Sequence, residues 1–350
     1  MAEFTAPSIV EEKNPFTHYY AQLLHQGNML ADNIRTSTYQ RAMYVNAADF
    51  ADKVVLDVGT GTGVLAIFAA NAGAKKVYAV DASDSADLAR KIVESNGLGD
   101  KIEVIKGKVE EIELPEKVDI IVSEPIGFLL VHERMLESYA AARERFLKPG
   151  GLMFPTTGSI VLAPVTDDAL YKEQLEKVEF WDNTDFYGID FSCVIPDANV
   201  EYFTQPVVGY FPASSIISDN RTVHTVDFTQ IMGEELHDFT IDFAYKIDRT
   251  AILHALGGWF DLAFIGTTET VPLSTAPDAP GTHWYQCRLM FHEPLAVNKG
   301  QVVTGSLHFV VNDKFSYTIH MTAKLQGTTV ETESTVNLHD QLYKYLYSDD

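Results

Sequence analysis

Apolar and polar positions along the chain follow two different periods, and the change between them falls near Pro155. Residues 15–50 carry helical spacing, with Tyr20, Leu23 and Leu24 and later Tyr39, Ala42 and Met43, and no strand alternation. From Lys53 short apolar runs alternate with helical segments. Val54-Val55-Leu56 reads as a buried strand and Val64–Ala72 as a helix. A strand at Lys76–Val80, a helix at Ser85–Asn96, and strands at Ile102–Lys106 and Val118–Ser123 continue the series. Arg134–Phe146 reads as a helix ended by Lys148-Pro149-Gly150-Gly151. Such alternation predicts a parallel sheet with crossover helices. Beyond Phe154-Pro155, residues 156–165 and 207–325 are mostly short period-two runs, among them Thr222–Thr229, Phe239–Tyr245, Thr304–Val311 and Ser316–Thr322. These predict antiparallel strands of a barrel or sandwich. Residues 166–206 interrupt them with a helical start at Leu170–Lys177 and an aromatic-rich loop, either a protruding element or a long connection. The expected domains are 1–154 and 155–350, and residues 1–14 read as a loose tail.

Bulk properties narrow the class without pointing to an activity. At 350 residues the chain can bury two separate cores. No apolar stretch approaches the length of a membrane span, so no membrane partner is expected. The opening MAEFTAPSIVEEKNPF lacks the basic start and apolar run of a secretory signal. Cys193 and Cys287, the only cysteines, suit a reducing compartment and offer no zinc spacing; no metal site is expected. A net charge of −23 repels nucleic acid and attracts cationic partners. Charge alone fits simple solubility equally well. It becomes informative only if the site chemistry also calls for a cation.

Two segments carry candidate chemistry. The first is Asp57-Val58-Gly59-Thr60-Gly61-Thr62-Gly63, where a strand runs into a glycine-rich turn that opens a helix. Glycine lets a backbone approach a ligand closely because no Cβ intervenes. A dinucleotide fingerprint would place its third glycine at position 64, which is Val64, so a pyrophosphate-binding dehydrogenase is disfavoured. The second strand ends at Asp81, 22 residues after Gly59, where an acid can accept hydrogen bonds from both ribose hydroxyls. Turn and acid together favour nucleoside binding over a packing turn and a solvated aspartate. Glu110 follows the third strand, where an adenine edge would be read, or is one surface acid among several. The second segment is Ser123-Glu124-Pro125-Ile126-Gly127-Phe128-Leu129-Leu130, with Glu133 nine residues after Glu124. Active sites of open α/β sheets lie at the carboxyl ends of strands. Two carboxylates there could be an acid–base pair, a clamp for a planar guanidinium, or solvated loop acids.

At this point the chain resembles the protein arginine methyltransferases, and their type I members in particular. The run Ser123–Tyr139 (S-E-P-x-G-x-x-L-x-x-E-R-M-L-E-S-Y) resembles the family's double-glutamate loop. Thr282-His283-Trp284 matches its T-H-W loop and Arg35-Thr36-Ser37-Thr38-Tyr39 its R-T-x-T-Y segment, in family order. Thr38–Ala42, Trp259–Gly266 and Leu273–Pro277 bring it closest to the coactivator-associated branch, and the likeness runs from about Phe16 to residue 345. The resemblance implies a Rossmann-like methyltransferase domain and a C-terminal antiparallel β-barrel with an inserted helical dimerisation arm, here at about 166–206, hence a homodimer. It implies S-adenosylmethionine as methyl donor, S-adenosylhomocysteine as product, and monomethyl and asymmetric dimethyl arginine on proteins such as histone tails and RNA-binding proteins, in nucleus and cytoplasm.

By position the resemblance also implies roles. Arg35 would pair with the cofactor's methionine carboxylate, with Gln26 nearby; Gly59 would face the methionine moiety, Asp81 the ribose, and Glu110 and Ser138 the adenine. Asp57 and Gly61 belong to the same turn. Glu124 and Glu133 would clamp the substrate guanidinium, Asp32 and His283 would form a polar pair beside them, Tyr20 would cover the pocket, and Met29 would lie near the accepting nitrogen. Arginine is too basic for ready deprotonation, so such a site works by alignment, with Glu133 or the His283–Asp32 pair as proton acceptor. Two positions depart from the family. Thr17 replaces an aromatic in the opening segment, so the N-terminal lid is expected to pack differently. Asp81 replaces a glutamate one methylene longer, so reaching the ribose is expected to need a shift or a water. The extra N-terminal domain of animal coactivator-associated members is not expected here, and recruitment of the same partners is not implied. Two rivals remain. A small-molecule methyltransferase would need neither the paired glutamates nor the β-domain. A silent scaffold would be expected to have lost one of the two glutamates.

Overall fold

The computed structural model describes residues 14–344; most of the tail read at residues 1–14 lies outside them. Four helices come first: α1 (Pro15–Tyr20), α2 (Leu23–Ala31), α3 (Asn33–Val45) and α4 (Ala47–Phe50). Asn14 caps α1, its side chain accepting from the Phe16 amide, and Asp32 caps α3 by accepting from the Arg35 amide, so short polar side chains set where each helix begins. Then follow β1 (Val54–Val58), α5 (Val64–Asn71), β2 (Lys76–Asp81), α6 (Ser85–Ser95), β3 (Ile102–Lys106), β4 (Val118–Ser123), α7 (Met135–Phe146) and β5 (Leu147–Phe154). The five strands form one parallel sheet in the order β3-β2-β1-β4-β5. Strand β1, Val-Val-Leu-Asp-Val, is buried at every position, as a central strand covered on both faces must be. The order reverses beside β1, so the carboxyl ends of β1 and β4 flank the crevice where such sheets take ligands.

The antiparallel part contains β6 (Thr157–Val165), α8 (Asp168–Glu179), α9 (Ile195–Thr204), β7 (Val207–Gly209), β8 (Thr222–Asp227), β9 (Asp238–Lys246), β10 (Ala251–Ile265), β11 (Thr270–Ser274), β12 (Gln286–Val297), β13 (Val302–Asn312), β14 (Ser316–Leu325), β15 (Glu331–Asn337) and β16 (Leu342–Tyr343). They make two sheets, β16-β7-β12-β10-β6-β8 with β11 on β10, and β15-β14-β13-β9. Their apolar faces share one core with the parallel sheet. Helices α8 and α9 pack on each other over a separate apolar cluster that includes Leu170, Val178, Ala198 and Phe203. Among the described residues, no helix is long and apolar enough to cross a membrane.

Four elements differ from the sequence reading, one of them β15, which lies past the last run read as strand. The Lys148-Pro149-Gly150-Gly151 run ends α7 and also lies within a strand, β5, whose pairing with β4 is irregular between Val118 and Ile120. Pro and Gly mask strand propensity, and edge position with a bulge tolerates both. Helix α9, begun by Pro196 in its first turn, lies in what reads as an aromatic loop. Strand β16 adds a parallel partner to β7, so this sheet is not wholly antiparallel.

Candidate active site

The glycine turn satisfies most of its polar groups locally. Gly59, Gly61 and Gly63 all have positive φ (70°, 54° and 82°), which a turn this tight requires and side chains resist. Asp57 is fully buried; its Oδ2 accepts from Thr60 Oγ1 (2.5 Å) and the Ala66 amide (3.0 Å), which ties the strand to the first turn of α5. Its Oδ1 is buried without a partner. Burial pushes Asp57 up to about 7, outweighing those two hydrogen bonds. Asp81 at the end of β2 accepts from the Gly61 amide (2.8 Å) through Oδ2 and from the Ser83 amide (2.8 Å) and hydroxyl (2.6 Å) through Oδ1. A carboxylate has about four acceptor positions. Three are thus taken within the chain, and accepting two ribose hydroxyls would require Ser83 to turn away. A Cβ at position 59 would stand 2.2 Å from Met135 Cε, and one at 61 would stand 2.6 Å from Gln26 Oε1. In this structure those two side chains lie against the bare backbone, at a strand end with an acid beside it, the setting in which a nucleoside-bearing cofactor is held.

The carboxylate loop between β4 and α7 is assembled from distant parts of the chain. Glu124, its side chain nearly covered, holds the Arg35 guanidinium of α3, with Nε at 3.0 Å and Nη2 at 2.7 Å from Oε2. The charge of Glu124 raises the pKa of Arg35 against the effect of burial. Glu133 accepts from the Tyr20 hydroxyl at 2.8 Å. Burial pushes Glu133 up to about 8, with the charge of Glu124 adding to it and the Tyr20 bond opposing it. Asp32 Oδ2 accepts from both the backbone amide (2.8 Å) and ring Nδ1 (2.7 Å) of His283. Burial alone would raise Asp32, yet the bonds from the His283 ring, the Arg35 amide and the His283 amide hold it below the usual carboxylate value. With Nδ1–H committed to Asp32, Nε2 is the free acceptor of a neutral His283 ring. Trp284 Nε1 donates to the Ile126 carbonyl (3.0 Å), joining the loop to the antiparallel domain.

Most residues singled out by sequence come together around this crevice. Tyr20, Asp32, Arg35, Glu124, Glu133 and His283 form the cluster just described. Met29 adjoins it, with its carbonyl 3.5 Å from Arg35 Nη1 and its sulfur 3.8 Å from Nη2. Gln26 donates to the Tyr20 carbonyl (2.8 Å) and lies against Gly61, linking the lid to the glycine turn. Arg35 and Glu124, which the resemblance sends to two different ligands, here pair with each other. Both are nearly buried, and a buried charge needs a counter-charge. Glu110 is exposed, and Ser138 is half-buried on α7; neither is hydrogen-bonded to the cluster among the described residues. Thr17 is exposed, whereas Phe16 packs edge-on against His132 (5.6 Å between centroids). Sequence reasoning missed Ser83 and Ser85, the latter donating to the Tyr20 carbonyl at 2.8 Å. Their signal was available in two serines directly after a strand-end aspartate at a helix start. It also missed Met135, which fills the space over Gly59.

Two family models match, one described as a methyltransferase domain over residues 55–151 and one as an arginine methyltransferase oligomerization subdomain over residues 156–328. The chain is 50% identical over 319 residues to the rice (Oryza sativa subsp. indica) protein named "Probable histone-arginine methyltransferase CARM1". That match covers 90% of this chain and 60% of the rice protein, so the chain spans under two thirds of the length of such relatives. Among solved structures, Arabidopsis thaliana protein arginine methyltransferase 10 superposes with a TM-score of 0.84 at 30% identity, over 92% of this chain and 100% of that one. Trypanosoma brucei PRMT1, solved as an enzyme–prozyme heterotetramer with AdoHcy, gives 0.81 at 36%, over 91% of this chain and 99% of that one.

Proposed function

This chain belongs to the protein arginine methyltransferase family, and on that premise we propose that it transfers methyl groups from S-adenosylmethionine to arginine guanidinium nitrogens in proteins. The observation that carries the reading is Glu124 holding the buried Arg35 guanidinium through two N–H groups, with a second, half-buried carboxylate, Glu133, on the same loop. A loop that binds its own guanidinium has the chemistry to bind another.

S-adenosylmethionine supplies an electrophilic methyl on a sulfonium. Gly59 and Gly61 would hold it by backbone approach, Asp81 with Ser83 at the ribose, Arg35 and Gln26 at the amino-acid end, and Glu110 and Ser138 at the adenine, with Asp57 bracing the turn. Glu124 and Glu133 would hold the substrate guanidinium from two sides and draw its positive charge toward the held nitrogens, leaving the third more nucleophilic. Alignment of this kind supplies on the order of 7–11 kcal/mol in the best cases. Tyr20 closes over Glu133 and keeps water out. Glu133, with its raised pKa, or His283 Nε2, oriented by Asp32, takes the departing proton.

Met29 supports a type I product. It lies beside the guanidinium that Glu124 holds, and its unbranched side chain leaves room for a methylated nitrogen to return for a second methyl. The expected products are monomethyl and then asymmetric dimethyl arginine. Substrates are histone tails and other basic protein segments, consistent with the charge of −23. The working compartment is the nucleus, with a cytoplasmic pool. The chain works as a homodimer through residues 166–206, where Phe180, Tyr187 and Ile189 are exposed (55%, 91% and 54%) in the connection between α8 and α9. Mass spectrometry of an arginine peptide incubated with S-adenosylmethionine tests this reading. Loss of dimethylamine from the product supports it; loss of monomethylamine alone, marking symmetric product, excludes type I; and no methylation of any arginine peptide excludes the activity.

A further inference from the structure

The loop bearing both carboxylates passes through the left-handed region at four non-glycine residues: Leu129, Leu130, Glu133 and Arg134, with φ of 49°, 71°, 73° and 59°. Such conformations persist only where the surroundings over-determine them. Trp284 fixes one end of the loop at Ile126. At the other end, next to Glu133, stands His132, which is 5% exposed and has no part in the chemistry above. Its Nδ1 lies 2.8 Å from Ser316 Oγ on β14, and its Nε2 lies 3.0 Å from Gln341 Nε2. The Gln341 amide nitrogen also donates to the Leu338 carbonyl, which identifies it as nitrogen. His132 Nε2 is therefore an acceptor, and Nδ1 carries the proton and donates to Ser316. The ring is stacked on Phe128 (5.5 Å, 22°) and meets Phe16 edge-on (5.6 Å, 90°). Phe16 lies four residues before Tyr20, on the same face of α1.

We propose that His132 is the positioning residue for the Tyr20–Glu133 hydrogen bond. It fixes Glu133 as its chain neighbour and Tyr20 through Phe16, and takes its own bearing from Ser316 and from Gln341 in the C-terminal segment. The lid helix and the carboxylate loop thus share one anchor, set by two hydrogen bonds from a third and a fourth part of the chain. Burial pushes the imidazole down to about 4, so the ring stays neutral, as that bonding pattern requires. The inference rests on the arginine-methyltransfer reading for its kinetic test and is independent of it for its structural one.

A double-mutant cycle in the full chain decides it. His132→Phe keeps the ring contacts and removes both hydrogen bonds; Tyr20→Phe removes the bond to Glu133. Each should lower kcat on an arginine peptide about 10- to 100-fold, the cost of a small misplacement of a catalytic group. The KM for the peptide and the affinity for S-adenosylhomocysteine should stay near wild type. The double variant should be about as slow as the slower single, because both changes act through one contact. Amide exchange by mass spectrometry should rise in residues 16–20 and 128–134 of His132→Phe. Additive losses in the cycle, or wild-type kcat and unchanged exchange in His132→Phe, would overturn the proposal. Should His132→Phe fail to fold, Gln341→Leu takes its place in the cycle, with an expected loss of about 3- to 10-fold for one hydrogen bond; additivity there overturns it equally. If the wild-type chain methylates no arginine peptide, the functional reading fails, and the exchange comparison still decides the role of His132.

Discussion

The glycine turn and the carboxylate loop lie on one edge of one sheet, yet they are stabilised in opposite ways. In the turn, Asp57 is bonded to groups three and nine residues away, and Asp81 to groups two and twenty away. In the loop, Glu124 meets a partner 89 residues away, Glu133 one 113 away and His132 partners 184 and 209 away, and beside it Asp32 at the start of α3 reaches His283 across 251. A turn whose polar groups are satisfied by its neighbours forms wherever the strand and helix form. A loop satisfied by four distant segments takes its working shape only after both domains have packed. The second arrangement suits a clamp that must exclude water from a pair of carboxylates, since only packing of distant segments does so.

Three experiments probe that contrast. The largest effect is expected from Glu124→Gln. It should lower kcat/KM about 10²–10³-fold, as removal of a preorganised charge does. Leaving Arg35 buried without its counter-charge should also cost about 3–5 kcal/mol of stability, visible by calorimetric melting. A variant that melts like the wild type would show that the long-range pair contributes nothing to the loop. Next, Asp81→Ala should weaken S-adenosylmethionine binding by about 1.5–3 kcal/mol in titration calorimetry, with kcat at saturating cofactor nearly unchanged. A fall in kcat matching that of Glu124→Gln would mean the turn and the loop are one cooperative unit, and the comparison would break.

The smallest effect is a pH dependence. The clamp needs Glu133 ionised, and its folded value is about 8. Activity as kcat/KM should therefore rise about tenfold per unit up to that pH and level off above it. Tyr20→Phe removes a bond that lowers this pKa, so the inflection should move higher. The stability sign is opposite. A carboxyl held above its unfolded value near 4.3 contributes stability that is full below that value and lost as pH rises through about 8. A flat rate profile between pH 6 and about 9 would remove Glu133 from the rate-limiting ionisations.

Legibility from sequence follows the same division. The strands Ile102–Lys106 and Val118–Ser123 run as read, because β-branched apolar runs bounded by polar turns have one economical burial. Strand β5 was hidden by Pro149, Gly150 and Gly151, whose local preference is overridden by pairing with β4. The paired glutamates, the Thr-His-Trp loop and the Arg-Thr segment could be recognised as motifs. Their mutual bonding could not, and Arg35 shows why: its partner in this structure is Glu124, chosen by burial and not by proximity along the chain.

What the sequence by itself determined are properties of neighbours: two periods of burial, the turn that Gly59, Gly61 and Gly63 permit, the helix starts that Asn14 and Asp32 cap, and the order of the chemistry-bearing segments. These depend on backbone torsions and on hydrogen bonds spanning a few residues, which local composition sets. Only the tertiary structure decided which donor meets which carboxylate, why Glu133 rests near 8 while Asp32 falls below its usual value, and that His132 ties the lid to the loop. Those outcomes depend on desolvation and on contacts across 89 to 251 residues, which exist only once the packed cores have closed the loops between them.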